Sequence, residues 1–217
     1  MSSSTTGKTT KVVLIGDGGV GKTCIISRFI SNEFDKEVES TDGASYGTKE
    51  LELPKLNKKI NLDIWDTAGQ ERYKSLTKFF YKDAQIIIMV YDITKKLTFE
   101  NIKNQSYKEI QELSGKNFIL GIAGNKSDLY ESEEVPEKEA REYAKSINAV
   151  YSLTSAQNNT GIKQLFEDVG MQLLAPDFQE KIMEKKKKKK EDTNIKITQS
   201  TVKKVDEEKK HKKKKCC

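Results

Sequence analysis

The octapeptide GDGGVGKT, Gly16 to Thr23, stands between an apolar run, KVVLI, and a stretch of helical periodicity. A glycine-rich turn between a strand and a helix lets successive backbone N–H groups and the helix N-terminus converge on phosphate oxygens, in space that a side chain at Gly18 or Gly21 would fill. Gly18, Gly19, Val20 and Gly21 are therefore expected to line a phosphate cradle. Lys22 supplies a cation for the terminal phosphates, and the Thr23 hydroxyl suits Mg²⁺, a hard ion that takes oxygen ligands. The string GxxxxGK[ST] arises by chance in about one chain per hundred, so the flanking strand and helix carry the reading as much as its letters do.

Such a loop needs a sheet behind it, and the first 175 residues supply one. The apolar runs KVVLIG, IIIMVYD and FILGIAGN, with AVYSLT as a weaker last strand, are continuous rather than alternating, the pattern of parallel strands covered on both faces. Between Thr48 and Asp66 the pattern alternates in two arms around Pro54 to Asn57, which predicts an antiparallel hairpin at a sheet edge. Helical patterns fill the gaps at Lys22 to Phe29, Phe99 to Leu113, Pro136 to Ile147 and Ile162 to Leu174. In the last of these Ile162, Leu165, Phe166, Val169 and Leu173 share a face. The expected architecture is an α/β P-loop NTPase fold: a six-stranded, mostly parallel sheet with one antiparallel edge strand and helices on both faces.

The chain of 217 residues divides unevenly in charge. Residues 176–217 hold 16 lysines against 8 acidic residues, whereas the remainder holds 23 basic against 25 acidic residues, so the net charge of +6 resides in that tail. With KKKKKK at Lys185 to Lys190 and few apolar residues, the tail buries too little surface to offset its ordering entropy. Residues 1–9 read as a flexible N-terminus, 10–175 as the nucleotide-binding domain and 176–217 as a disordered lysine-rich tail. The polar start MSSSTTGKTT lacks an apolar signal core, and the three cysteines, Cys24, Cys216 and Cys217, do not form a secreted disulfide framework, which points to a reducing cytoplasmic setting. Nucleic-acid binding by the tail is disfavoured, because the domain offers no basic face or recognition helix to support it.

Two further motifs define the ligand. Asn125, Lys126 and Asp128 of GNKSD lie where FILGIAGN runs out, at the carboxyl edge where open α/β sheets bind ligands. A carboxylate at Asp128 accepts from the adjacent N1 and N2 donors of guanine, a pair adenine lacks. WDTAGQE, Trp65 to Glu71, leaves the second hairpin strand. There Asp66 can hold the metal through water, Gly69 allows close approach to a γ-phosphate, and Gln70 can orient an attacking water as the catalytic residue.

The P-loop, DTAGQE, NKSD and TSA at Thr154 to Ala156 occur in the order and spacing of the Ras superfamily, and residues 10–175 resemble a Rab GTPase, most closely its endosomal branch. The resemblance implies a small GTPase switch that binds GTP and GDP with Mg²⁺, hydrolyses GTP slowly and regulates vesicle trafficking. It also implies roles by position. Phe34 packs against the guanine, Ser155 and Ala156 form the loop whose backbone meets the guanine oxygen, and Thr41 completes Mg²⁺ coordination in the GTP state. Tyr46, Trp65 and Phe80 form an aromatic triad read by effectors. Asp42 faces effectors too, although the family usually has an aliphatic residue there, and Gln157 stands where it usually has lysine.

No arginine of the P-loop or switch I is placed as an internal finger, so a GTPase-activating protein is implied, beside an exchange factor, a dissociation inhibitor and effectors, the GTPase itself being a monomer. The pair Cys216 and Cys217 matches the acceptor of two geranylgeranyl groups, next to the polybasic Lys212 to Lys215. Two lipid chains anchor stably where one does so only marginally, so the protein is expected to cycle between cytoplasm and the cytosolic face of intracellular membranes. The rival reading is a guanine-nucleotide-dependent membrane scaffold with little hydrolysis, against which Gln70 speaks.

Overall fold

In a computed structural model of the chain, the structure describes residues 9–36, 44–67, 80, 82–113 and 118–180. Six strands form one sheet in the order β2-β3-β1-β4-β5-β6: β1 (Thr9–Ile15), β2 (Ala44–Leu53), β3 (Lys58–Thr67), β4 (Ile86–Asp92), β5 (Ile119–Asn125) and β6 (Val150–Leu153). All neighbours pair in parallel except β2 with β3. The expected mostly parallel sheet with one antiparallel edge is thus observed. β4 and β5 are buried at every position, which is why their sequences are unbroken apolar runs rather than alternating ones.

The hairpin is longer than its alternating pattern suggests. β2 starts at Ala44 and pairs with β3 over its whole length, from Ala44 opposite Thr67 to Leu53 opposite Lys58. The turn is a short 3₁₀ segment, Pro54–Leu56, closed by Asn57 at φ 48°. Proline presets the first turn, and asparagine tolerates the left-handed conformation.

Among the described residues, the sheet is covered by α1 (Lys22–Ser31), α2 (Lys96–Asn101), α3 (Tyr107–Leu113), α4 (Glu137–Ser146) and α5 (Ile162–Leu174). Alternation along the strands splits the core. Val13, Ile15, Ile87, Met89 and Ile122 meet Phe99, Ile110, Ala140 and Ala144 from α2, α3 and α4, and Ile102 from the segment between α2 and α3, on one face. On the other face α1 and α5 meet through Phe29 and Phe166, whose rings stack 3.7 Å apart. At Gly170 of α5 a Cβ would lie within 3.3 Å of Leu51, Leu53 and Ile60, a closer approach than side chains ordinarily make. The α5 face inferred from periodicity is buried as expected, with Phe166 fully enclosed. Truncating Phe166 to alanine would cost about 3–5 kcal/mol through lost burial and the cavity left.

The helix expected over Phe99 to Leu113 is observed with a difference. Between α2 and α3 the backbone widens into a π turn at Ile102–Ser106. Ile102 and Ile110 are both fully buried. Eight residues of regular α-helix rotate by about 800° and would leave these two about 80° apart, whereas one extra residue in a wide turn absorbs about 100° and brings them within about 20° of a common line. The register of the core sets the bulge.

The boundaries also shift slightly. β1 starts at Thr9, inside the expected flexible N-terminus. The chain divides after Ala175 into two units, and of the second only residues 176–180 are described, as helical backbone where the sequence reading starts the unstructured tail. Pro176 opens this turn, a position where its fixed φ and missing N–H cost nothing. No helix of the described residues is long and apolar enough to cross a membrane.

Candidate nucleotide site

The phosphate loop spans the gap between β1 and α1. Gly21 sits at φ 94°, and a Cβ there would run into the side-chain amide of Asn125. Gly16, at φ 143°, lies so close to the Val90 carbonyl that a Cβ would collide with it. The demand for glycine at 21 therefore comes from Asn125 at the end of β5 and from backbone conformation, beyond the phosphate argument made from sequence.

Lys22 bends back over this loop, its ammonium donating to the carbonyls of Gly16 at 2.8 Å and Asp17 at 2.9 Å. Only 5% of the residue is exposed. Burial pulls its pKa down to about 8, against the opposing pull of Asp66 and then Asp17. A desolvated ammonium held by neutral carbonyls is poised for an anion. The next residue, Thr23, donates its hydroxyl to Asp66 Oδ2 at 2.6 Å, and Asp66 is buried near the end of β3. These adjacent hard oxygens suit a small divalent cation. Among the described residues no group of three or more His, Cys, Asp or Glu gathers as metal ligands.

Asn125, Lys126, Asp128, Ser155 and Ala156 come together past the ends of β5 and β6. Asn125 is almost fully buried; its Nδ2 donates to Val20 O at 2.8 Å, and its Oδ1 accepts from Thr154 Oγ1 at 3.2 Å. Both ends of the amide thus brace the phosphate loop against the strand ends. Lys126 takes a left-handed conformation and pairs its ammonium with Asp92 Oδ2 at 2.6 Å. Asp92 also accepts from the backbone N–H and hydroxyl of Thr94, at 2.9 and 2.7 Å. Burial raises its pKa, but Lys126 and Thr94 outweigh burial and leave it lowered. The charge of Lys126 is committed to Asp92, which leaves its aliphatic stem as the part that can wall a ligand.

Asp128 Oδ1 accepts from Ser155 Oγ at 2.5 Å, and the same hydroxyl accepts from the Asn158 N–H at 3.0 Å. The carboxylate proposed to read guanine is held in place by the loop that follows β6. Phe34, half-buried, has the Arg28 guanidinium 5.7 Å from its ring centre. The aromatic triad also assembles: Tyr46 faces Trp65 across the β2–β3 ladder with ring centres 5.3 Å apart, and Phe80 lies 6.0 Å from Trp65. Tyr46 is 55% exposed and donates its hydroxyl to Asp63 at 3.0 Å. Thr41, Asp42, Gly69, Gln70, Cys216 and Cys217 lie outside the described residues.

Three supporting contacts were not read from the sequence. Asp92 had a signal, since it is a carboxylate ending a buried parallel strand, much as Asp66 lies next to the end of β3. Asn101 donates to Asp17 Oδ2 at 2.7 Å and ties α2 to the phosphate loop. Arg28, which donates to Ala156 O at 2.8 Å, bridges positions 128 residues apart. Nothing local marks either of the last two.

A six-stranded P-loop α/β fold with phosphate and base subsites along one sheet edge defines a nucleoside-phosphate-binding protein. The sequence model of the Ras family matches residues 11–175. The chain is 44% identical to Ras-related protein Rab-31 of Mus musculus over 163 residues, 75% of this chain and 82% of that one. It is 42% identical to Ras-related protein Rab-22A of Homo sapiens over 167 residues, 77% and 84% of the two chains. It is also 42% identical to Ras-related protein Rab-11C of Dictyostelium discoideum over 157 residues, 72% and 69%. The chain belongs to the Ras family, among its Rab small GTPases. It binds guanine nucleotide, hydrolyses GTP to GDP and phosphate, and regulates vesicle trafficking.

Proposed function

We propose that this GTPase switches through the residues named above. The backbone of Gly18 to Gly21, with Lys22, cradles the phosphates, and Asp128 selects guanine while Asn125, Lys126, Ser155, Ala156 and Phe34 shape the base pocket. Mg²⁺, held by Thr23, by Thr41 in the GTP state and through water by Asp66, neutralises charge on the terminal phosphates when bound. Gly69 lets the backbone approach the γ-phosphate, and Gln70 orients the attacking water; without a strong base or internal arginine, turnover is slow until an activating protein supplies one. The observation that supports this reading best is the convergence on one sheet edge of the Lys22 ammonium, the Thr23–Asp66 oxygen pair and the Ser155-anchored Asp128.

In the GTP form Tyr46, Trp65 and Phe80, with Asp42, present a surface for effectors, and hydrolysis withdraws it. Geranylgeranyl groups on Cys216 and Cys217, with Lys212 to Lys215, hold the protein on endosomal membranes, and exchange factor and dissociation inhibitor govern its cycle between membrane and cytoplasm. Single-turnover hydrolysis, with and without an activating protein, tests the core of the proposal. Gln70→Leu is expected to slow hydrolysis at least about a hundredfold in the presence of the activating protein while GTP affinity stays unchanged. Equal rates in wild type and variant would refute the role of Gln70.

A further inference from the structure

Arg28 lies on the last turn of α1, away from every motif used above, yet its guanidinium reaches both the segment just after that helix and a loop 128 residues on. Nε donates to Ala156 O at 2.8 Å and Nη2 to Gln157 O at 3.3 Å. Nη1 donates to Asn32 O at 2.6 Å and approaches Asn32 Oδ1 at 3.3 Å. Asn32 Oδ1 in turn accepts from Asn159 Nδ2 at 2.9 Å. The same guanidinium carries its central carbon over the ring of Phe34, 5.7 Å from the ring centre.

We propose that Arg28 is the positioning residue of the guanine end of the site, holding the loop at 155–160 and the Phe34 ring in register with each other. The inference deepens, and rests on, the assignment of Ala156 and Phe34 to the base. In a trans peptide C=O and N–H point in opposite directions. Ser155 O accepts from the Thr160 N–H at 3.1 Å, which turns the Ala156 N–H away from Thr160. Arg28 then takes the next carbonyl, that of Ala156, and so fixes the following peptide as well. The turn's N–H groups are thereby aimed before any ligand arrives, and a donor already aimed needs no reordering on binding.

The residue type matters. A guanidinium offers five donors in one plane and a flat face for an aromatic ring, whereas an ammonium is a point charge on a flexible stem. Lysine at 28 could satisfy one of the carbonyls and keep the charge near Phe34, but it could not span Ala156, Gln157 and Asn32 together. Because this loop and Phe34 share one clamp, loosening it affects the base end of any guanine nucleotide, whatever the number of phosphates.

The test is release of a fluorescent GDP analogue from the full chain in Mg²⁺-containing buffer, chased with excess GDP. Arg28→Ala is expected to raise the release rate about tenfold or more, Arg28→Lys by an intermediate factor, and Phe34→Leu by a comparable factor. Combining Arg28→Ala with Phe34→Leu should raise release by clearly less than the product of the single effects, since both act through one clamp. Should the alanine variant fail to fold, the lysine variant carries the comparison. Release from Arg28→Ala or Arg28→Lys within twofold of wild type, or a fully multiplicative double variant, overturns the inference while the base site stands. Failure of the wild-type protein to prefer GDP over ADP in competition would overturn the base-site assignment, and this inference with it.

Discussion

Lys22 couples nucleotide binding to protons in a measurable way. In the free protein its pKa is lowered to about 8 by burial, so at pH 8 about half of the molecules carry a neutral amine. Phosphate oxygens favour the ammonium and hold Lys22 protonated in the bound form. Binding must then take up about 0.1 proton at pH 7, about 0.5 at pH 8 and about 0.9 at pH 9, and Lys22 alone makes affinity about tenfold weaker at pH 9 than at pH 7. Titration calorimetry of GDP at pH 8 in two buffers of different ionisation enthalpy reads the uptake directly, as the slope of observed enthalpy against buffer enthalpy. No uptake at pH 8, or net release, would refute the depressed pKa. The sign for folding follows from the same shift: between about pH 8 and 10.5 the unfolded lysine keeps a proton that the folded one has shed, so the nucleotide-free protein gains stability as pH rises through that window.

Asp128→Ala should abolish the preference for guanine over adenine, read by competition of GDP and ADP; a variant that still selects guanine would show that another group reads the base. Asp92→Ala, which strips Lys126 and Thr94 of a buried partner, should cost about 2 kcal/mol in denaturant unfolding, less than a fully buried pair because Lys126 is partly exposed. The stabilisation from Asp92 is present above the ordinary carboxylate pKa and is lost as pH falls through its lower folded value. Deleting Cys216 and Cys217 should leave GDP affinity intact and abolish recovery of the protein with membranes in cells, whereas removing one should weaken recovery only partly.

The fold was legible wherever one segment carries its own physics. The run IIIMVYD coincides with β4 because a strand buried on both faces must be apolar throughout, and the spacing of Ile162 to Leu173 gave α5 to the residue because one helical face alone had to be buried. The phosphate loop was legible for the same reason, since strand, glycine turn and helix are contiguous. The hairpin was found but began too late, at Thr48 rather than Ala44, because the exposed early residues of β2 show no burial pattern and owe their pairing to β3. Asp128 was singled out as a candidate from its motif, but its anchoring by Ser155, 27 residues on, left no mark in the sequence.

By itself, then, the order of residues determined the sheet, the hairpin edge and the strand–glycine turn–helix form of the loop at Gly16 to Thr23, all of which follow from burial periodicity and short-range backbone geometry. Tertiary structure decided how those parts are held at working distance. It turned the Asn125 amide into a brace for the phosphate loop, committed the charge of Lys126 to Asp92, inserted a π turn so that Ile102 and Ile110 share one core line, and gave Arg28 its bridge from α1 to the loop beyond β6. Each depends on polar groups or packed faces that become neighbours only when strands far apart in the chain align at one edge of the sheet, and a hydrogen bond between such groups leaves no period or motif in either segment.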